Sequence, residues 1–156
     1  MAIQYGRTTF KFLTFSIDDS GGTLRQIPIN SLSVVGIVYD EVDVSAWQDA
    51  VKGALIGMAS APIDIGGPFD TTALTGSHTV LSGINGVLTL PLALCIAIGM
   101  RQAYVAGEPT FGITGTAANG YLCFSYNVDF STSMYSAHLD LYPGSALPTW
   151  GVALFT

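Results

Sequence analysis

The stretch that most constrains this chain runs from Val87 to Met100. Leu88, Leu90, Leu92, Leu94, Ile96, Ile98 and Met100 occupy its even positions; Val87, Thr89, Pro91, Ala93, Cys95, Ala97 and Gly99 occupy the odd ones. Strand side chains alternate between faces, so a period of two predicts one long β-strand here. Its bulky face would turn to a core and its small, flat face would suit close approach by another surface. Leu, Ala and Met also favour helices, but Pro91 in mid-segment and the strict alternation oppose one. Pro91 has no N–H to donate, so a break or an edge in the ladder is expected beside it. The continuous apolar part is about 14 residues, short of the roughly 20 that a membrane-spanning helix needs. No membrane span is expected.

Few charges surround this strand. They make up 10% of the 156 residues, against roughly 25% in an ordinary soluble domain. Hydrophobic residues make up 49%, and the mean hydropathy is +0.49. Residues 1–156 are expected to form a single domain with a substantial core. Its surface has too few charges for a solitary life in water, so covering by other protein, above all by further copies, is expected. The net charge is −6, and Arg7, Lys11, Arg25, Lys52 and Arg101 are scattered singly. That opposes a grip on phosphates, which draws on clustered cations. It suits a surface past which DNA slides without sticking. Cys95 and Cys123 read as buried thiols, with a disulfide left open. No secretory signal is visible at the N-terminus, which points to synthesis in the cytoplasm.

Taken in order, residues 8–17 read as a strand rich in aromatic and β-branched residues. Asp18, Asp19, Ser20, Gly21 and Gly22 carry strong turn chemistry, which predicts a hairpin tip. Around Trp47 the period changes. Ser45 and Gln48 match a capping box, Lys52 and Gly53 match a helix end, and Trp47, Ala50 and Val51 share one helical face. A short helix is expected there, with Trp47 anchoring it to the core. One helical turn is expected over residues 77–81. Asn119-Gly120 between extended runs predicts a hairpin. Tyr121 to Phe130 alternates, with Leu122, Phe124, Tyr126, Val128 and Phe130 on one face and Tyr121, Cys123, Ser125, Asn127 and Asp129 on the other, and Met134 to Tyr142 returns with Tyr135, Ala137, Leu139 and Leu141 inward. Many short strands and one short helix predict an all-β fold, an antiparallel β-sandwich or barrel.

No catalytic constellation emerges. His78 and His138 have no Cys or acidic cluster at metal-ligand spacing, and Ser77-His78 are only sequence neighbours. Asp40, Glu41 and Asp43 form the one acidic cluster, without the Gly and further oxygen ligands of a calcium loop. Gly66-Gly67 is followed by no Lys-Ser/Thr, so it is no phosphate loop. The expectation is a protein that is not an enzyme and takes no cofactor or metal.

The succession of features carries a further pointer. An acidic strand end (Val42-Asp43-Val44-Ser45) runs into the segment with Trp47, Gln48 and Asp49, then Gly53 and Leu55. Gly67-Pro68-Phe69-Asp70 and Gly76-Ser77-His78-Thr79-Val80-Leu81 follow. After the long strand come Gly107-Glu108-Pro109-Thr110-Phe111, the strand Tyr121 to Asp129, and a close on Pro143-Gly144-Ser145. Over residues 38–150 this order resembles the major tail tube proteins of long-tailed, siphovirus-type bacteriophages, with Lys52-Gly53 standing where that family commonly has Pro-Gly.

The resemblance implies a tail-tube-type β-sandwich flanked by a helix and assembled as stacked hexameric rings of the virion tail. Those rings would surround DNA during ejection, with tape-measure and terminator proteins as further partners. It also implies an inter-ring hairpin loop, placed near residues 10–35 with Asp18, Asp19, Ser20, Gly21 and Gly22 at its tip. Asp40, Glu41 and Asp43 become candidates for lumen charge; Trp47, Leu94, Phe124 and Trp150 become candidates for core or interface anchors. Two other readings remain. One is a capsid decoration or other virion β-protein. The other is a carbohydrate-binding module, in which Trp47, Trp150 and the seven tyrosines would stack on sugars.

Overall fold

The computed structural model describes residues 8–100 and 102–151. Its strands are β1 (Phe12–Asp18), β2 (Leu24–Ile27), β3 (Ser31–Leu32), β4 (Val38–Asp43), β5 (Ala54–Ser60), β6 (Ile63–Pro68), β7 (Leu94–Gly99), β8 (Thr110–Ile113), β9 (Tyr121–Asp129), β10 (Met134–Leu141) and β11 (Thr149–Trp150). One helix, α1 (Ser77–Ile84), interrupts them. A five-stranded sheet in the order β11-β8-β7-β1-β2 faces a four-stranded sheet in the order β3-β6-β10-β9. Strands β4 and β5 form a separate two-stranded sheet. All the ladders are antiparallel. The expected all-β sandwich is present.

One apolar cluster holds the two large sheets together. Phe15 and Ile17 of β1, Leu94 and Ile96 of β7 and Phe111 of β8 meet Ile63 and Ile65 of β6 and Tyr135, Ala137 and Leu139 of β10. Helix α1 adds Val80, Leu81 and Ile84. It packs against β9 and β2, which are edge strands of different sheets, and so closes that side of the sandwich. The four inward residues expected of β10 all face this cluster.

The long strand is shorter than the alternation predicts. β7 begins only at Leu94; Leu92 reaches Tyr121 through an isolated bridge, and Leu88 and Leu90 are exposed. Pro91 stands where the ladder stops, as a residue without an N–H should. The small face is not left open either, because Ala93, Cys95 and Ala97 are buried along with Leu94 and Ile96. β7 lies between β1 and β8 at the centre of its sheet, paired along both edges.

Strand β9 departs from its predicted face through a bulge. His138 lies opposite Ser125 but Leu139 lies opposite Cys123, which leaves Phe124 as the extra residue. An inserted residue reverses the parity of the strand. Tyr121 and Cys123 therefore point into the core before the bulge, and Tyr126 and Val128 point to it afterwards. Phe124 and Phe130 are exposed, so they do not share the core-facing side of Tyr126 and Val128 as the alternation predicts, and Phe124 is no anchor of this chain's core.

Asn119-Gly120 makes no hairpin between neighbours. It carries the chain from β8 in one sheet to β9 in the other, with Gly120 at φ +147, a region that disfavours side chains. Spanning β10 within the four-stranded sheet, the buried Tyr121 hydroxyl donates to the carbonyl of Ala61, just before β6, at 2.9 Å. Tyr121→Phe should strand that carbonyl and cost about 1–2 kcal/mol. An unchanged midpoint in urea denaturation would show that the bond contributes nothing.

Candidate assembly surfaces

The helix expected over residues 45–52 does not form. Its supposed capping residues instead staple a hairpin loop between β4 and β5. Gly53 N–H donates to Ser45 Oγ at 2.6 Å, Ser45 N–H donates to Asp43 Oδ1 at 2.9 Å, and Ala46 N–H donates to Asp49 Oδ2 at 2.7 Å. Two helical turns are too few to persist without a body to pack on, and here none lies beneath them. Trp47 is fully exposed, at 104% of its reference area, so it is no anchor for this chain's core.

The β4–β5 hairpin is an arm. Its strands pair with each other and with neither sandwich sheet. Every residue of β4 is exposed, and Val38, Tyr39, Val42, Leu55, Ile56 and Met58 all present large apolar surface, joined by Val44 and Val51 in the loop. A lone two-stranded ribbon is at best marginally stable in water. Gly57 sits at the arm's irregular step, where a Cβ would lie 3.0 Å from Asp40 Cβ and 3.2 Å from its carbonyl oxygen.

The acidic candidates all lie on this arm. Glu41 pairs with Ile56 and Asp43 with Ala54, and alternate residues share a face, so Glu41 and Asp43 are brought together on one side. Asp40 projects from the other parity. Hydrogen bonds from the Ser45 backbone and hydroxyl hold the Asp43 carboxyl below its usual range. Lys52 Nζ lies 3.6 Å from it, an exposed pair of small energetic consequence.

The Asp18–Gly22 segment has a different character. It is the turn that closes β1 onto β2 inside the five-stranded sheet, not a separate arm. Asp19 N–H donates to the Thr23 carbonyl at 2.9 Å, and Gly21 and Thr23 N–H donate to Asp19 Oδ1. Arg25 Nε donates to Asp19 Oδ2 at 3.0 Å. Burial pushes the Asp19 carboxyl up, but the bonds from Thr23, Arg25 and Gly21 outweigh it and leave the group below its ordinary value. Burial raises Asp18 instead, partly offset by the bond from Ala93 N–H.

A carboxylate with a depressed folded value stabilises fully above its unfolded value and loses that contribution as pH falls through the folded one. Asp19→Ala should therefore cost about 1–2 kcal/mol near neutral pH, as the loss of a capping group does. The cost should shrink below about pH 4, where the unfolded carboxylate protonates. A pH-independent difference in thermal midpoint would refute the ionic part of this account.

The remaining anchors fall in three places. Leu94 is wholly buried at the centre of the core. Phe124 stands on the outer face beside His138, with ring centroids 6.5 Å apart. Trp150 is half exposed and packs on Phe111 at 4.7 Å. There it forms one wall of an open cavity of about 660 Å³. Leu13, Ile96 and Ile98 floor this groove from the five-stranded sheet, and Ile29 to Val35 rim it on the β3 side. It lies away from α1, where the inner face of one sheet extends past the edge of the other. Nothing in the sequence marked it, because its walls come from segments distant in the chain.

Among the described residues no group of His, Cys, Asp and Glu is placed to hold a metal ion. His138 Nδ1 meets Asp64 Oδ1 at 2.6 Å on the outer face of the four-stranded sheet, an exposed pair with Ser125 opposite His138 on the neighbouring strand. Cys95 and Cys123 are free and buried, and burial pushes both thiols up to about 11, which makes them unreactive. No described helix is long and apolar enough to cross a membrane.

A sandwich with a side helix and a projecting arm can be compared with known proteins. No protein-family model matches the chain, and no curated protein does. Solved structures do. A chain in the extended-state sheath/tube terminator of PVC, an extracellular contractile injection system, superposes with a TM-score of 0.61 at 15% identity, covering 97% of this chain and 100% of that one. A chain in the tube-terminating cap of the anti-feeding prophage gives 0.64 at 13%, covering 98% and 95%. A chain in the extended PVC sheath-tube complex gives 0.60 at 13%, covering 97% and 95%. This chain has their fold. The match runs over nearly the whole length of each. The two PVC neighbours come from a contractile injection system, whereas the sequence resemblance is to the siphovirus type.

Proposed function

We propose that this protein is a structural subunit of a phage-tail-like particle, assembling with copies of itself into rings that stack as a tube. The observation that carries this reading is the β4–β5 arm, whose exposed Trp47, Val51, Ile56 and Met58 have no partner surface within the sandwich. The shared fold with chains of contractile injection particles supports it, as does the low charge of the chain. Most of such a surface is buried in an assembly, so few charges are needed. In this reading the inter-ring role expected of the Asp18–Gly22 turn passes to the arm. Other tail proteins, including a terminator, would meet the ends of the tube, and the particle, released from the cell in which it is made, is where the protein acts.

Negative-stain microscopy of the purified chain tests the reading. Rings or tubes on the order of 100 Å wide, the size of six such domains around a duplex-wide channel, are the expected result. A monomer at every concentration would overturn it.

Asp40, Glu41 and Asp43 would give the channel its negative lining. Changing all three to Lys should leave rings intact but make them retain duplex DNA at about 50 mM salt and release it at about 200 mM, since cation–phosphate binding falls steeply with salt. Variant rings that retain no DNA would remove these residues from the lumen.

A further inference from the structure

We infer that the groove walled by Trp150 receives the tip of the arm from a second copy of this chain. This rests on the assembly reading and adds to it a receptor site. The sandwich is closed by α1 along the β2 and β9 edges but not at the β3 and β11 edges, where the groove opens. Its floor is core-type surface, Leu13, Ile96, Ile98 and Phe111, continuous with the main cluster. A volume of about 660 Å³ suits a bulky aromatic side chain with aliphatic neighbours.

The arm offers that shape. Trp47 and Val51 stand wholly or largely exposed at its tip, and a Trp in an apolar pocket with its N–H at a wet rim is a common interface anchor. The polar rim exists in Thr9, Asn30 and Ser31.

Charge and reach both point to a second copy. Lys11 is the one charged side chain lining the groove, and no described carboxylate lies within ion-pair distance of it. Asp49, two residues from Trp47, is the tip carboxylate without an ion-pair partner among the described residues, because Lys52 is engaged by Asp43. The arm also leaves the body at Val38, just after groove-lining Val35. Strands rise about 3.3 Å per residue, so the tip stands roughly 20 Å from its own base and away from its own groove. A contact between two different surfaces of identical chains is head-to-tail, and such contacts propagate into rings or filaments.

The test uses the full chain and engineered thiols, the two native ones being buried. A Gln48→Cys chain, which keeps Trp47, is mixed with a Thr9→Cys chain under mild oxidation, with circular dichroism confirming that each is folded. The expected result is a disulfide dimer linking 48 to 9, formed faster than 48–48 or 9–9 dimers of either chain alone. Lys11→Glu in the Thr9→Cys chain should slow it roughly tenfold, by facing one acid with another. A second variant, Ser31→Trp in the Thr9→Cys chain, crowds the receiving groove from its exposed rim and should abolish the cross-link to the Gln48→Cys chain.

If wild-type particles form but only 48–48 links appear, or none, the arm docks elsewhere and the groove is not its receptor. If removing residues 1–7, and not altering Trp47, changes access to the groove, its occupant is the chain's own terminus and the inference falls. A wild-type chain that never assembles overturns the assembly reading itself.

Discussion

Leu94→Asp is expected to yield no folded protein, and Leu94→Ala a folded but much weakened one. Leu94 is 0% exposed and lies on the central strand pair, opposite Ile17 of β1 and Ile113 of β8. Its side chain joins the cluster to which both sheets and α1 contribute. Truncation to Ala removes apolar contacts and leaves a cavity that close-packed neighbours fill only in part, at a cost of about 2–5 kcal/mol. Aspartate adds an uncompensated charge in the same place, and marginal domains carry only about 5–15 kcal/mol in total. Thermal melts of the Ala variant and the soluble fraction of the Asp variant are the measurements. A soluble Leu94→Asp protein with a cooperative melt would mean that β7 is not at the centre of the core. Ile98→Asp gives the contrast: Ile98 lines the open groove and is only partly buried, so its variant should fold.

The parts of the fold that were legible in the sequence share one property: local pattern and tertiary context agree there. The β10 alternation put Tyr135, Ala137, Leu139 and Leu141 inward because the extra residue of the bulge lies in β9, so β10 itself keeps an unbroken period of two. The parity of β9 was misread because a single bulged residue, Phe124, cannot be seen in a pattern of period two. The segment around Trp47 shows the opposite failure. Ser45, Asp49, Lys52 and Gly53 are as well suited to closing a wide hairpin loop as to capping a helix, since in both cases short polar side chains satisfy free backbone N–H groups. What decides between them is whether an apolar face has something to pack against.

The same ambiguity explains the sites. Asp40, Glu41 and Asp43 were legible as an acidic cluster, but not as residues of an arm. The Asp18–Gly22 turn was legible as a turn, but its place within a five-stranded sheet depends on β7, distant in sequence. The groove was invisible, being assembled from β1, β3, β7, β8 and β11.

Excising the arm's tip, by replacing residues 45–52 with Asn-Gly, is expected to abolish particle formation while sparing the fold. The loop's bonds are internal: Ser45 to Asp43 and Gly53, Asp49 to Ala46, Lys52 to Asp43. None of these residues contributes to the sandwich cluster, so the thermal midpoint should change by no more than a few degrees, about 1 kcal/mol for a chain of this size. The two-residue turn suits a right-twisted ribbon, which keeps β4 on β5. Assembly should respond very differently. Trp47 is the largest exposed apolar side chain on the arm, and removing a central aromatic anchor commonly costs an interface about 2–4 kcal/mol, which is repeated at every subunit of a ring or tube. Sedimentation velocity separates the outcomes. A folded monomer at concentrations where the wild type forms large particles is the expected result. Normal particles from the excised chain would place the adhesive surface elsewhere, on the open β3 and β11 edges, and leave the arm without a role in assembly.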